Sequence, residues 1–348
     1  MGATGIEWTD RTWNPVVGCT KVSPGCKNCY AKTLHDQRHK AFHEGKAVPS
    51  QYKEPFETVQ LMPHRLTEPL SWRKPQRIFV NSVSDLFHED VPFAFLDQVF
   101  TTMAGAKRHT FQILTKRPER MEEYIGIRWG DGKLEPLPNV WLGTSVENQA
   151  AADERIPHLL ATPAAVRFLS CEPLLGPINL TRLWLPDRSG YWNALDGRLT
   201  VKATGVNGNS DFWVTTEKPI TGSVGWAIAG GESGPGARPM EIEWPRSLLA
   251  QCKAAGVAFF MKQLGAFVVD RNDRPFEAEY ERWAEGPNAG QPTDPKAWPT
   301  PVYVIHDLDG TRDGYQGAPV RVVLNDKKGG DMDEWPHDLR VREFPKGT

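Results

Sequence analysis

The sequence predicts an α/β fold, a (β/α) barrel that is full or partial and TIM-like, and three observations lead there. Six short apolar runs recur along the chain, each closed by a polar or glycine-rich turn. Segments with helical spacing lie between them. The runs do not alternate apolar with polar, which marks strands buried on both faces of a parallel sheet. Strand then helix, repeated, argues for a barrel over a bundle or a sandwich. A doubly wound open sheet is the runner-up, because strand pattern alone does not separate the two.

The elements follow in order. "TWNPVVG" (12–18) supplies the first strand. "RIFVNSVSD" (77–85), "TFQILTKRP" (110–118), "NVWLGTSVE" (139–147), "VRFLSCEP" (166–173), "VGWAIAGGES" (224–233) and "VAFFMKQLG" (257–265) supply the others. A helix begins near Tyr30, and further helices cover 92–106, 148–162 and 245–256. The last of these stops on Gly256, which accepts the left-handed backbone that ends a helix. Three stretches interrupt the repeat: a polar loop at 41–60, an inserted hairpin or flap at 184–222, and an irregular linker at 270–300 rich in Pro, Glu and Gly. "TPVYVIHD" and "APVRVVLND" then read as paired strands before the tail. The expected organisation is a barrel over 1–268 carrying the insert, and a linker with a small C-terminal β extension over 269–348.

Of 348 residues, 39% are hydrophobic and 24% charged, with a net charge of −2. This composition fits a globular chain and excludes disorder and bulk polyanion binding. The start "MGATGIEWTD" has no secretory pattern, and no apolar run reaches the length of a membrane span. The expected compartment is the cytoplasm, where thiols stay reduced and clustered cysteines bind metal more often than they pair. Residues 1–120 carry more Lys and Arg than Asp and Glu, which permits a nucleic-acid or phosphate partner there without demanding one.

Chemistry concentrates in "GCTKVSPGCKNCYA" (18–31), which places Cys19, Cys26 and Cys29 within eleven residues. Three thiolates from one short loop can hold three corners of a [4Fe–4S] cluster and leave one iron open. A structural zinc needs a fourth ligand, and His35, His39 and His43 offer one at spacing i, i+4, i+8 along the following helix. Both metals stay open on spacing alone. The loop follows the first strand, so the metal falls at a C-terminal strand end, where barrel enzymes keep their chemistry.

Four later strands end in an acid: Asp85, Glu147, Glu172 and Glu232. In a barrel these converge on one rim, suited to accept hydrogen bonds from a bound cofactor; singly, each also suits a helix start. Lys116 and Arg117 add cations for a carboxylate or phosphate, Lys116 as a candidate catalytic group and Arg117 for substrate. "AGGESGPGARP" (229–239) offers Gly230, Gly231 and Glu232 as an anion-cradling turn that Arg238 closes over. Cys171, at a strand end, is a candidate hydrogen-donor thiol; the competing reading is a small buried hydrophobe, as for Cys252.

The set "GCTKVSPGCKNCYA", "NSVSDLFH", "ILTKRPERM", "GTSVEN", "CEPLLGPI", "GGESGPGARP" and "FFMKQLG" resembles an uncharacterised phage and bacterial family known for its three-cysteine motif. The resemblance covers about residues 5–265 and the closing "DLRVREFP". That family is regarded as similar to radical S-adenosylmethionine enzymes. The resemblance implies Cys19, Cys26 and Cys29 as cluster ligands, S-adenosylmethionine as second cofactor, and an electron donor such as a flavodoxin or ferredoxin. It departs from the usual radical-enzyme motif in the gap of six after the first cysteine, where three is common. The aromatic Tyr30 follows the last cysteine instead of preceding it, and "GGE" sits late in the chain.

Two readings follow. One is an enzyme that makes a 5′-deoxyadenosyl radical, with substrate unspecified beyond a nucleic acid or nucleotide as one class. The other is a zinc-stabilised, phage-derived module that binds nucleic acid or protein without catalysis, with some of the 13 tryptophans as base-stacking surfaces.

Overall fold

The computed structural model describes residues 4–129, 135–204, 211–270, 306–307, 320–322 and 324–345. Its centre is one seven-stranded parallel sheet: β1 (Arg11–Trp13), β2 (Arg77–Val80), β3 (Thr110–Thr115), β4 (Val140–Ser145), β5 (Val166–Cys171), β10 (Trp226–Gly230) and β11 (Ala258–Gln263). Between β5 and β10 the insert forms a four-stranded antiparallel sheet of β6 (Leu183–Trp184), β7 (Gly190–Asn193), β8 (Arg198–Thr204) and β9 (Asp211–Thr215). It is a four-stranded sheet, where the sequence suggested a hairpin or flap. Its position next to the core comes from Leu183 and Trp192, which pack onto the main hydrophobic cluster.

The seven strands lie side by side in chain order. A doubly wound sheet reverses direction at a switch point, and this one does not, so that alternative is excluded. Neither is it a closed barrel. Among the described residues β1 and β11 do not pair, and the arrangement is a half-barrel. The free edge of β11 is covered by the tail: Met261 donates to Val341 O at 2.8 Å and Glu343 to Phe259 O at 2.9 Å. This protects an edge that would otherwise template another chain. The C-terminal segment therefore closes onto the sheet. The β extension is a small mixed sheet of Met240–Glu241, Val268–Asp270, Val320–Val322 and His306–Asp307. Most of the 270–300 linker lies outside the described residues.

Alternation along each strand gives the sheet two faces. Ile78, Val80, Phe111, Ile113, Val140, Leu142, Leu169, Ala227 and Phe259 join the large core beneath the helices. Those helices are α1 (Tyr30–His43), α2 (Phe93–Gly105), α3 (Pro118–Trp129), α4 (Gln149–Ala161) and α5 (Glu243–Ala255). Asn148 starts α4 by accepting from Ala151 N–H at 3.0 Å. Gly256 ends α5 at φ +68°, as expected from the sequence.

The inner face holds a second cluster, aromatic throughout its base: Trp8, Phe79, Trp141, Phe168, Trp226 and Phe260, with Ile228. Gly143 makes room for it, since a Cβ there would stand 2.6 Å from the Phe168 ring. The aromatic plug seals the lower part of the half-barrel and leaves the C-terminal strand ends for polar groups.

Candidate functional site

Residues 18–31 run across the C-terminal end of the sheet, and side chains from three strand ends fasten them. After β4, Glu147 Oε1 accepts from Gly25 N–H at 3.3 Å. Gly25 lies so close that a Cβ would meet the Glu147 carboxyl at 3.1 Å. After β10, Glu232 accepts from Asn28 Nδ2 at 2.9 Å, and Arg238 donates to Pro24 O at 2.8 Å. After β3, Arg117 reaches Thr20 Oγ1 at 2.8 Å and Cys19 Sγ at 3.7 Å. The three cysteines are free and half-buried.

Each rim carboxylate is matched by donors of its own. Asp85 takes Thr115 Oγ1 at 2.7 Å, the Lys116 and Phe87 N–H groups, and Arg117 at 3.4 Å. Glu147 pairs with Arg155 at 2.9 Å, both fully buried. Glu172 holds Lys262 at 2.6 Å and Gln263 at 3.1 Å. Glu232 takes Arg238 at 2.7 Å and its backbone N–H at 2.9 Å. Three of the four also grip the cysteine loop or its cation, so the expected convergence is present with a structural component added.

Several expectations are corrected. Cys171 does not face the rim: it points into the core beneath the helices, fully buried, and burial drives its thiol far above the usual range. It is a small hydrophobe there, like Cys252. The 229–239 turn is no open anion cradle. The Gly231 N–H donates to Gln263 O at 3.0 Å. A Cβ at Gly231 would lie 2.1 Å from Leu264 O, so this glycine serves backbone approach. At Gly230 it is the carbonyl that is used, accepting from Leu174 N–H. Arg238 closes over Glu232 and Pro24, leaving its guanidinium engaged within the chain. Arg117 is likewise committed, to Asp85, Glu89 and Thr20. Lys116 differs. Its ammonium has no ion-pair partner among the described residues, and its charge is felt by both Cys26 and Glu147.

The histidines of α1 face away from the thiols. His35 Nε2 lies 2.8 Å from Glu54 O and His39 Nδ1 2.9 Å from Tyr52 O, both in the neighbouring loop. His43 touches His39. Among the described residues, none of the three α1 imidazoles is turned toward the thiols as a fourth zinc ligand would be. Residues that the sequence reading did not single out are Asn28, Arg155 and Lys262. Arg155 had one signal: a charged residue at a core-facing position of α4, eight residues after Glu147.

The thiols are unequal. Burial and the Asp85 charge push Cys19 up to about 11, against the opposing pull of Arg117. Burial also raises Cys26, but backbone hydrogen bonds at Val22 and Ser23 and the Lys116 charge outweigh it and hold this thiol below its ordinary value. Among the described residues, no group of three or more His, Cys, Asp and Glu side chains is gathered closely enough to hold a metal ion. The three thiols are free on one fastened loop, and His35 and His39 of α1 are engaged with the neighbouring loop.

Burial raises Glu147 and Glu232 too, yet the Ser23 hydrogen bond and Arg155 for the former, and Arg238 for the latter, bring both below the carboxylate value of 4.5. A carboxyl lowered in the folded state stabilises above its unfolded value and loses that contribution as pH falls through the folded value. Pepsin cleavage within 18–31 is therefore expected to rise as pH falls below the ordinary carboxylate value of 4.5, ahead of cleavage in the sheet. Simultaneous cleavage everywhere would show that these carboxylates do not fasten the loop.

A comparison with protein families matches residues 3–322 to one described as "Protein of unknown function (DUF5131)". That is nearly the whole chain, and the protein belongs to this family. No curated protein and no solved structure matches the chain. Among the described residues no helix is long and apolar enough to cross a membrane.

Proposed function

We propose that the chain is an iron–sulfur enzyme of the radical S-adenosylmethionine type, with Cys19, Cys26 and Cys29 as the ligands of a [4Fe–4S] cluster. The observation that carries this reading is the loop itself: three free thiols on one segment, fastened to three strand ends at the C-terminal edge of a parallel half-barrel. That edge is where βα folds collect their chemistry. When bound and reduced, the cluster would supply an electron that cleaves S-adenosylmethionine to methionine and a 5′-deoxyadenosyl radical able to abstract hydrogen.

The protein's own part is positioning and charge. Glu147, Glu232, Asn28 and Arg238 hold the loop in register with the rim. Arg117 donates toward the Cys19 sulfur and favours its thiolate. Lys116, whose ammonium is unpaired among the described residues, would meet an anionic group of the substrate, of which a nucleotide phosphate is one class. Lys262 neutralises the Glu172 carboxylate at the rim. The aromatic plug below excludes water from the floor. A donor of the flavodoxin or ferredoxin class would deliver the electron.

The test is product formation. Anaerobically reconstituted protein given dithionite and S-adenosylmethionine is expected to release 5′-deoxyadenosine, and Cys26→Ala to abolish the release. Protein that holds a full cluster yet cleaves no S-adenosylmethionine would refute the enzymatic reading.

A further inference from the structure

The inserted sheet ends in an open edge. Among the described residues, no strand pairs with the outer side of β9. The ladder on its inner side fixes which groups face out. Thr216 N–H donates to Leu199 O at 2.9 Å, so in the β8–β9 register the pairs Val201–Val214 and Ala203–Phe212 exchange the hydrogen bonds. Lys202, opposite Trp213, sends its N–H the other way, to Ser189 O at 2.8 Å. The N–H and C=O groups of Asp211, Trp213 and Thr215 therefore point outward.

The side chains of this strand are in large part exposed, although the Trp213 ring rests against Trp184 and Tyr191 of the same sheet. Phe212, Trp213 and Val214 are consecutive and 51%, 48% and 42% exposed, so both faces of the edge are apolar. No Lys, Arg or Pro stands in the strand to discourage pairing. Its single charge, Asp211, is matched by Lys202 at 2.5 Å.

We propose that this edge is a self-association surface, with β9 pairing antiparallel to β9 of a second copy about a two-fold axis at Trp213. In that register Trp213 faces the partner's Trp213, Phe212 faces the partner's Val214, and Asp211 faces the partner's Thr215. Apolar meets apolar, and no carboxylate meets another. The three outward residues align with the three outward residues of the second strand and allow about six backbone hydrogen bonds. A shift of one residue sets outward groups against inward ones. A shift of two shortens the ladder and sets Trp213 against Asp211 or Thr215. A contact of the same patch with itself is closed under two-fold symmetry, so the assembly stops at the dimer. This inference is independent of what the cysteines bind.

Sedimentation equilibrium of the full chain, from about 1 to several hundred micromolar, tests it, since a short interface of this kind sits at the weak end of the affinity range. A reversible monomer–dimer equilibrium is expected. Thr215→Pro removes an outward donor and spares the backbone bonds between β8 and β9, at the loss of the Thr215–Thr200 hydroxyl contact. Trp213→Lys sets like charges opposite each other at the axis. Each is expected to weaken the dimer at least about tenfold with circular dichroism unchanged, whereas Ile220→Lys, exposed but off the strand, leaves it as it was. A monomer at every concentration, a dimer that survives both strand variants, or equal weakening by Ile220→Lys would overturn the proposal.

Discussion

Glu147→Ala is expected to lower stability by about 3–5 kcal/mol, because it strands the Arg155 guanidinium in the core. Glu147 and Arg155 are 1% and 4% exposed and 2.9 Å apart, and among the described residues Arg155 has only the Ser145 carbonyl as a second partner. Total stabilities are typically about 5–15 kcal/mol, so this one change takes a large share. A thermal melt should drop by about 10 °C. A second variant separates the pair's structural role from its grip on the loop. Replacing both residues by Leu removes the lone charge and should recover most of the loss, since buried ion pairs are often exchanged for apolar groups at little cost. The Gly25 N–H would still lack its acceptor. The double variant should therefore melt nearly like wild type while residues 18–31 become more susceptible to protease. Equal melting of the single and double variants would contradict this account of the pair.

Trp226→Ala is expected to cost a similar amount, about 3–5 kcal/mol, through the cavity it leaves. Trp226 is fully buried at the centre of the inner-face cluster. Its ring lies 5.3–6.2 Å from those of Trp8, Trp141, Phe168, Phe260 and Phe344. Its indole N–H donates to Glu343 O at 2.9 Å. One side chain thus joins the first turn of the chain, three strands and the tail. Urea unfolding should report the loss in free energy, and hydrogen exchange should show the tail beside β11 opening first. The half-exposed Trp213 is the contrast: it touches only the Trp184 and Tyr191 rings among the described aromatics, and Trp213→Ala is expected to cost about 1 kcal/mol of monomer stability. A small effect at Trp226 would mean that the plug is not cooperative.

The strand pattern was legible because each run is short, apolar and closed by a turn, and the six runs quoted after the first strand each contain a strand of the sheet. Closure was not legible. Whether β1 meets β11 depends on twist and on what covers the edges, here Val341–Glu343, and neither appears in strand periodicity. The rim acids were found by position after the strands, but their partners were not. Arg155 lies on a helix and Lys262 in a neighbouring strand, so only the tertiary fold brings them to Glu147 and Glu172. Cys171 shows the limit of arguing from a strand end: with side chains alternating between faces, one step of register decides between rim and core. The histidine row of α1 was correctly read as one helix face, yet the 50s loop that occupies His35 and His39 carries no motif to announce it.

The central claim is that three sulfurs of one loop hold an iron cluster, and elemental analysis of anaerobically purified protein tests it most directly. The account predicts brown protein with about four iron and four sulfide per chain, both lost together when Cys19, Cys26 or Cys29 is replaced by Ala. Colourless protein with one zinc, no sulfide, and metal retained after any one of those replacements would contradict it.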